Sequence, residues 1–254
     1  MKTKLMSATT SFDINYRNIM KKDILQGTLF PDLEPDSTLS SAASHAKISD
    51  ILKSRILNLH LHSSFPRAGK EDVPLVEAYN GPLPESFISF ADRNKKLFSS
   101  GVHCFLYDYK IEPTWSIPAL SVSCLKQYAC VIAPDFSLFV DLPRAINVWI
   151  VYRNRWVASY WQSEQIKVIP SASWGNADSF EYCFDGLPKN STIAIGHVAI
   201  GKDKDQKRLF RMGVESLIES KHPSRLVVYG SPLDFSPDVE VVHYDGFIQK
   251  LRNL

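Results

Sequence analysis

The stretch from Ala129 to Pro170, ACVIAPDFSLFVDLPRAINVWIVYRNRWVASYWQSEQIKVIP, decides the fold. It opens on a short apolar run, Ala129–Ala133, too continuous to be a half-exposed strand and too short for a helix. A polar turn follows, and then a long stretch from Pro143 to Ser163 with apolar residues at three- and four-residue intervals, which reads as a helix. Asp141 with Pro143 behind it fits N-cap and first-turn chemistry. A second strand pattern, Lys167–Ser171, closes the unit. Two strands joined through a helix pair in parallel by a right-handed crossover.

The same alternation continues on both sides. Val102–Tyr107, Thr192–Ala199, Arg225–Tyr229 and Val239–Tyr244 read as further strands, and Pro118–Gln127, Asp203–Lys221 and Gly246–Leu251 as further helices. A helix is expected over Glu85–Ser99, and another over Ile48–Leu57, running into a strand in which Leu57, Leu59 and Leu61 alternate with Asn58, His60 and His62. The fold class is therefore α/β, a mostly parallel sheet with flanking helices, either open or closed as a reduced TIM-like barrel. Residues 1–46, with a small polar stretch from Asp36 to Ala46 and one apolar island at Gly27–Leu33, read as a flexible N-terminal arm. Residues 47–254 form a single α/β domain whose motif-bearing part is 101–245.

Composition supports a globular chain and narrows its partners. Of 254 residues, 44% are hydrophobic and 22% charged, and 29 Lys and Arg against 27 Asp and Glu leave a net charge of +2. That balance lacks the basic excess on which polyanion binders depend. The N-terminus has no apolar signal core and no run is long enough to span a bilayer, so the expected location is the cytoplasm, with no membrane partner. The four cysteines form no C-x-x-C pair and read as reduced core thiols. P-loop, dinucleotide-binding, zinc-hydrolase, deaminase and nucleophile-elbow motifs are absent.

In parallel α/β folds the loops after the strands' carboxyl ends carry the chemistry. Those loops hold Asp108 and Asp135, which come within reach of one proton or one divalent ion if their strands are neighbours, and which otherwise cap the next helix or brace a turn. Ser137 lies two residues past Asp135. Arg153, within the helix's apolar stripe, calls for an acidic or phosphate partner, which Asp108, Asp135 or a bound anion would supply, whereas Asn154 and Arg155 lie off the stripe. All five tryptophans fall between Trp115 and Trp174; Trp174, just past a strand, offers either a stacking wall or a plug for the sheet end. His197 closes a strand, as a ligand contact or a hydrogen-bonded core histidine. His60 and His62 form a weak pair of metal ligands without a third.

The block from Val102 to Tyr229 contains FLYDY…E..W, APDFSLFVDLP, VYRNRWVASYWQ, VIPSASWG and F..CFDGLPKNSTIAIG. In these segments it strongly resembles the bacterial and phage family known as domain of unknown function 4417. The resemblance implies occurrence on phages and other mobile elements and supplies no activity. The shared motif positions are Asp108, Asp135, Ser137, Asp141, Pro143, Arg153 to Trp156, Tyr160, Trp161, Trp174, Gly175, Asp185 and Gly186. Tyr107 stands where the family pattern is often acidic.

Two functions from different classes follow, with a third behind them. One is a small hydrolase or transferase acting on a nucleotide, nucleic acid or glycosidic bond. In it Asp108 and Asp135 serve as catalytic acids, Ser137, Arg153, Trp174 and His197 bind substrate, and a divalent metal is the candidate cofactor. The alternative is a non-enzymatic protein that binds a host or phage partner through the arm. A DNA-binding accessory protein is the third, disfavoured by the charge balance.

Overall fold

The computed structural model describes residues 57, 58, 61, 65–198 and 203–246. Expectations for the arm, for the helix over 48–56, for His60 and His62 and for the helix after Gly246 lie outside them. Leu57 and Asn58, placed at the head of a strand by the sequence, form a turn instead.

A short antiparallel hairpin comes first, β1 (Arg67–Ala68) with β2 (Val73–Pro74), turned at Gly69 with a φ of +74°. Then come β3 (Phe87–Ser89), β4 (Gly101–His103), β5 (Val131–Ile132), β6 (Val168–Ile169), β7 (Ser171–Ala172), β8 (Thr192–His197), β9 (Arg225–Gly230) and β10 (Val241–Asp245). Every ladder among β3 to β10 is parallel, in the orders β3-β4-β5-β6 and β7-β8-β9-β10. The two sheets meet at Pro170. Proline has no N–H to give to a ladder, so the strand expected over Lys167–Ser171 breaks there, pairing with β5 before the proline and with β8 after it. The Pro170 carbonyl still accepts from the Ala194 N–H at 2.8 Å. With β6 and β7 taken as one bent strand, seven parallel strands follow one another in sequence order.

The outermost strands approach each other. The Phe87 and Tyr244 rings meet edge to face at 4.8 Å, and the Tyr244 hydroxyl donates to the Pro84 carbonyl at 2.7 Å. Alternate residues along the strands, among them Phe87, Cys130, Ile132, Ile169, Ala194, Val227 and Tyr229, fill the enclosed side. Their neighbours Val102, Val131, Val168, Ile193, Ile195, Leu226 and Val228 face outward and pack under the helices in two further clusters. The expected α/β architecture of parallel sheets flanked by helices is thus observed, with its first and last strands in side-chain contact.

The helices are α1 (Asp108–Ile111), α2 (Pro113–Ser116), α3 (Val122–Leu125), α4 (Arg144–Ser163) and α5 (Lys204–Lys221). Asp203 caps α5, accepting from the N–H groups of Asp205 and Gln206. Pro143, not Asp141, occupies the N-cap of α4, with no side-chain cap. The helix expected over Glu85–Ser99 is β3 followed by a 3-10 turn, Phe90–Lys95. Phe87 is buried on the inner face and takes the space that a Cβ on Gly101 would need, so tertiary burial overrides the local helical pattern.

The largest departure concerns the polar residues that α4 buries beside its apolar stripe. Asn147, Asn154 and Arg155 are buried, whereas Ile146 and Trp149 are exposed. Asn154 accepts from the Phe136 N–H at 2.9 Å and donates to the Phe136 carbonyl at 3.2 Å. Asn147 does the same for Phe139, at 3.1 and 2.8 Å. Two asparagines seven residues apart on a helix stand about 10.5 Å apart along its axis. Three residues of extended chain cover about 10 Å, so the segment from Phe136 to Phe139 lies antiparallel along α4 with both ends clasped. Arg155 donates to the carbonyls of Asp185, Ser171 and Cys183 at 2.8 to 3.0 Å. Ile150, Trp156, Val157, Tyr160 and Trp161 are buried as the apolar stripe predicts, and Asn147, Asn154 and Arg155 are buried beside them because they supply hydrogen bonds to chain that has no ladder of its own.

Candidate active site at the carboxyl ends of β4 and β5

After β4 the chain turns at Tyr107, and Asp108 begins α1. Its carboxylate accepts the Ser137 hydroxyl at 2.9 Å and the Ser137 N–H at 3.2 Å, tying the loop after β4 to the loop after β5. Asp108 and Ser137 are thus brought together, with Asp135 two residues upstream of Ser137.

Asp135 lies in a different environment. Its Oδ1 is sealed from solvent and has no hydrogen-bond partner, while the residue keeps a partly exposed edge. Burial pushes its carboxyl up from the ordinary value of 3.8 to about 7. A hydrogen bond from Ser173 and the nearby Arg155 cation act downward, and the Asp108 carboxylate acts upward. Asp108 is held by Ser137, while Asp135 stands near half protonation at neutral pH.

Arg153 does find an acidic partner, but it is Glu112 of the α1–α2 turn rather than Asp108 or Asp135. The pair is 2.5 Å apart. The guanidinium lies 4.0 Å from the Phe136 ring centroid and 5.4 Å from that of Trp115, and its buried Nε has no partner. Arg153 thus presses Phe136, the residue between Asp135 and Ser137, against the core. Arg155 is wholly enclosed, and burial lowers its pKa to about 10, which leaves it a cation at neutral pH.

Trp174 and His197 sit elsewhere, under α5. Trp174 is 5.3 Å from the Phe210 ring and 6.0 Å from Phe184, and it covers the position that a Cβ on Gly213 would occupy. His197 stacks 4.6 Å from the same Phe210 ring, with Nδ1 2.8 Å from the Ser231 carbonyl. The six residues singled out in the sequence thus divide. Asp108, Asp135 and Ser137 share one loop cluster with Arg153 beside it, and Trp174 and His197 share Phe210. Trp115 is buried against Trp149 and Trp156 and does not line a ligand site.

Sequence reading missed Glu112, Arg155 and Ser173. Ser173 had a signal, its place beside Trp174 at a strand end. Two surface clefts, of about 340 and 190 Å³, are formed by the hairpin, α4 and the turn near Glu181, and none of the six residues lines either. Among the described residues no group of three or more His, Cys, Asp or Glu stands where it could hold a metal ion, and no helix is long and apolar enough to cross a membrane.

Comparison with known proteins places these loops in a wider set. The Gene 1 protein of Mycobacterium phage L5 is 45% identical over 129 residues, 51% of this chain and 56% of that protein, so the match spans little more than half of that relative. The Gene 1 protein of Mycobacterium phage D29 is 35% identical over 207 residues, 76% of this chain and 74% of that protein. No solved structure matches. The matching family model runs over residues 66–245, from the hairpin through β10, and therefore takes in every described element that builds the site. On that coverage the chain belongs to the phage-associated family described as domain of unknown function (DUF4417).

Proposed function

We propose that this protein is a cytoplasmic hydrolase or transferase in which Asp135 carries the proton. The supporting observation is a strand-end carboxyl with one oxygen sealed and unpartnered and with its pKa raised to about 7. A group with that pKa donates to a leaving oxygen and accepts from an attacking one with nearly equal ease at neutral pH. Asp108 serves as a positioning residue. It fixes Ser137, and its charge helps keep Asp135 protonated. Ser173 steadies the carboxyl through its hydrogen bond, and the Arg153–Phe136 stack holds the backbone between the two loops.

The bond types served by one proton-transferring carboxyl include phosphodiester and glycosidic linkages, whose leaving oxygens need protonation. The test incubates the full chain with nucleoside triphosphates, a single-stranded oligonucleotide and p-nitrophenyl glycosides, and follows product by chromatography. Turnover of one class, reduced about 100-fold or more in Asp135→Asn, is expected. No product from any class, or an Asp135→Asn variant as active as the parent, overturns the reading.

A further inference from the structure

Asp108 stands between the two most exposed large apolar side chains of the described residues, Tyr107 at 74% and Tyr109 at 70%. The two touch each other. Their rings lie within 11° of parallel with centroids 6.0 Å apart, which makes them an offset-stacked pair. The Lys110 Nζ lies 5.9 Å from the Tyr109 ring centroid, and Lys110 forms no ion pair with a described carboxylate. The backbone beneath is held, because the Lys110 N–H donates to the Tyr107 carbonyl at 2.8 Å and Asp108 accepts from Ser137 of the neighbouring loop. Two rings and one cation are thus presented to solvent on chain that is already ordered.

Size and charge select the occupant. A large aromatic side chain has about 200 Å² to bury, so two rings this exposed offer about 300 Å² together. A standard protein interface takes about 800 Å² from each partner, which the pair does not approach. It suits one or two flat rings, and because the tyrosines already stack on each other, such a ring adds to the outside of the stack. A neutral sugar fits an aromatic face but gives Lys110 nothing to pair with, whereas a nucleic-acid strand carries a phosphate beside every base. In a duplex the bases cover one another, so only a single strand has faces free to stack on protein. The net charge of +2 argues against a long basic track, and none is needed where one lysine meets one phosphate and stacking supplies the rest.

We propose that Tyr107, Tyr109 and Lys110 form a platform for a single-stranded nucleic acid, the two rings stacking on bases and the ammonium pairing with a phosphate. Asp108 links this platform to the acid site, since it carries a tyrosine on either side and bonds Ser137, two residues past Asp135. The substrate class of that site is then a single-stranded phosphodiester; this consequence rests on the reading of Asp135 as the proton carrier, and the binding itself does not.

Fluorescence anisotropy of a labelled eight-nucleotide single strand, titrated with the full chain at 50 to 200 mM salt, tests this. Binding with a Kd of about 100 µM or tighter is expected, with log affinity falling against log salt at a slope of about −0.7 for each phosphate contacted. Tyr107→Ala and Tyr109→Ala are each expected to weaken binding about 5-fold or more at unchanged Tm, Tyr107→Phe to keep it, and Lys110→Gln to remove about 0.7 from the slope. No binding up to 500 µM chain overturns the proposal, and so does an affinity indifferent to both alanine changes or equal for the duplex of the same sequence. A labelled chitohexaose bound more tightly than the strand through the same tyrosines also overturns it, because the platform would then serve a glycan. Binding that persists in Asp135→Asn, with no strand cleaved by the parent, supports the platform and removes the proton-transfer reading instead.

Discussion

Replacing Asp135 by asparagine should change how stability depends on pH, in a direction fixed by the sign of the shift. A carboxyl whose folded pKa lies above its unfolded value binds protons more tightly in the native state. Its favourable contribution is complete below the unfolded value near 3.8 and is lost as pH rises through about 7. Over about three pKa units at 1.36 kcal/mol each, the full loss is about 4 kcal/mol, and about 3 kcal/mol of it falls between pH 4.5 and pH 8. Asparagine does not titrate, so the variant lacks this term. Its constant offset, from an amide placed where a carboxyl was, cancels when the two proteins are compared across pH.

The assay is urea unfolding followed by tryptophan fluorescence at pH 4.5, 6, 7 and 8, with m-values checked for constancy. Groups that do not interact with Asp135 contribute alike in both proteins and drop out of the difference. Stability of Asp135→Asn relative to the parent should climb by about 3 kcal/mol over that range, most steeply between pH 5 and 7. Parallel curves, agreeing within about 0.5 kcal/mol at every pH, would show that the carboxyl ionises normally and would remove the physical basis for proton transfer by Asp135.

Other consequences are equally direct. Asp108→Asn keeps an oxygen for Ser137 but removes a charge that raises the Asp135 pKa, so carbon-13 NMR should show Asp135 titrating at lower pH than in the parent. Asn154→Ala strands the Phe136 N–H and carbonyl and should cost about 2–3 kcal/mol in chemical unfolding; a cost near zero would mean water replaces the clasp freely. Arg155→Met leaves three buried carbonyls without their donor and should cost at least about 3 kcal/mol, with Arg155→Lys recovering only part, because one ammonium cannot reproduce the planar fork. Gly213→Ala drives a methyl to within 2.1 Å of the Trp174 ring and should lower Tm and alter near-ultraviolet dichroism together.

What the sequence disclosed, and what it withheld, separates along a physical line. Strands such as Arg225–Gly230 and the capped helix after Asp203 were legible because burial on both faces and N-cap chemistry leave local signatures. The strand at Phe87 was hidden, since three residues carry no period and its reason for being extended, Phe87 packed over Gly101, lies fourteen residues away. Pro170 was visible, but its effect depended on which neighbour each half of the strand would find. The acids Asp108 and Asp135 were found as strand-end residues. The raised pKa of Asp135 could not be, because it comes from packing that seals one of its oxygens.

Helix α4 shows why periodicity misled there and what it was concealing. An amphipathic reading assigns inward positions to apolar residues, and in this helix it assigned Arg153 inward and left Asn154 and Arg155 outside. Asparagine is a poor helix former, and two of them seven residues apart inside one helix cost stability unless their amides are used. Here both amides bind a backbone segment in place of a neighbouring strand, and Arg155 collects three more carbonyls. The loop from Pro134 to Phe139 therefore has its backbone groups satisfied at Phe136 and Phe139 by α4, at Ser137 by Asp108 and at Pro134 by Ser171, which allows its first residues to be buried and places Asp135 where desolvation raises its pKa. The buried amides of α4 and the perturbed acid are one construction. Loosening Asn154 should hydrate the Asp135 Oδ1 and return that carboxyl toward an ordinary pKa before the fold itself comes apart.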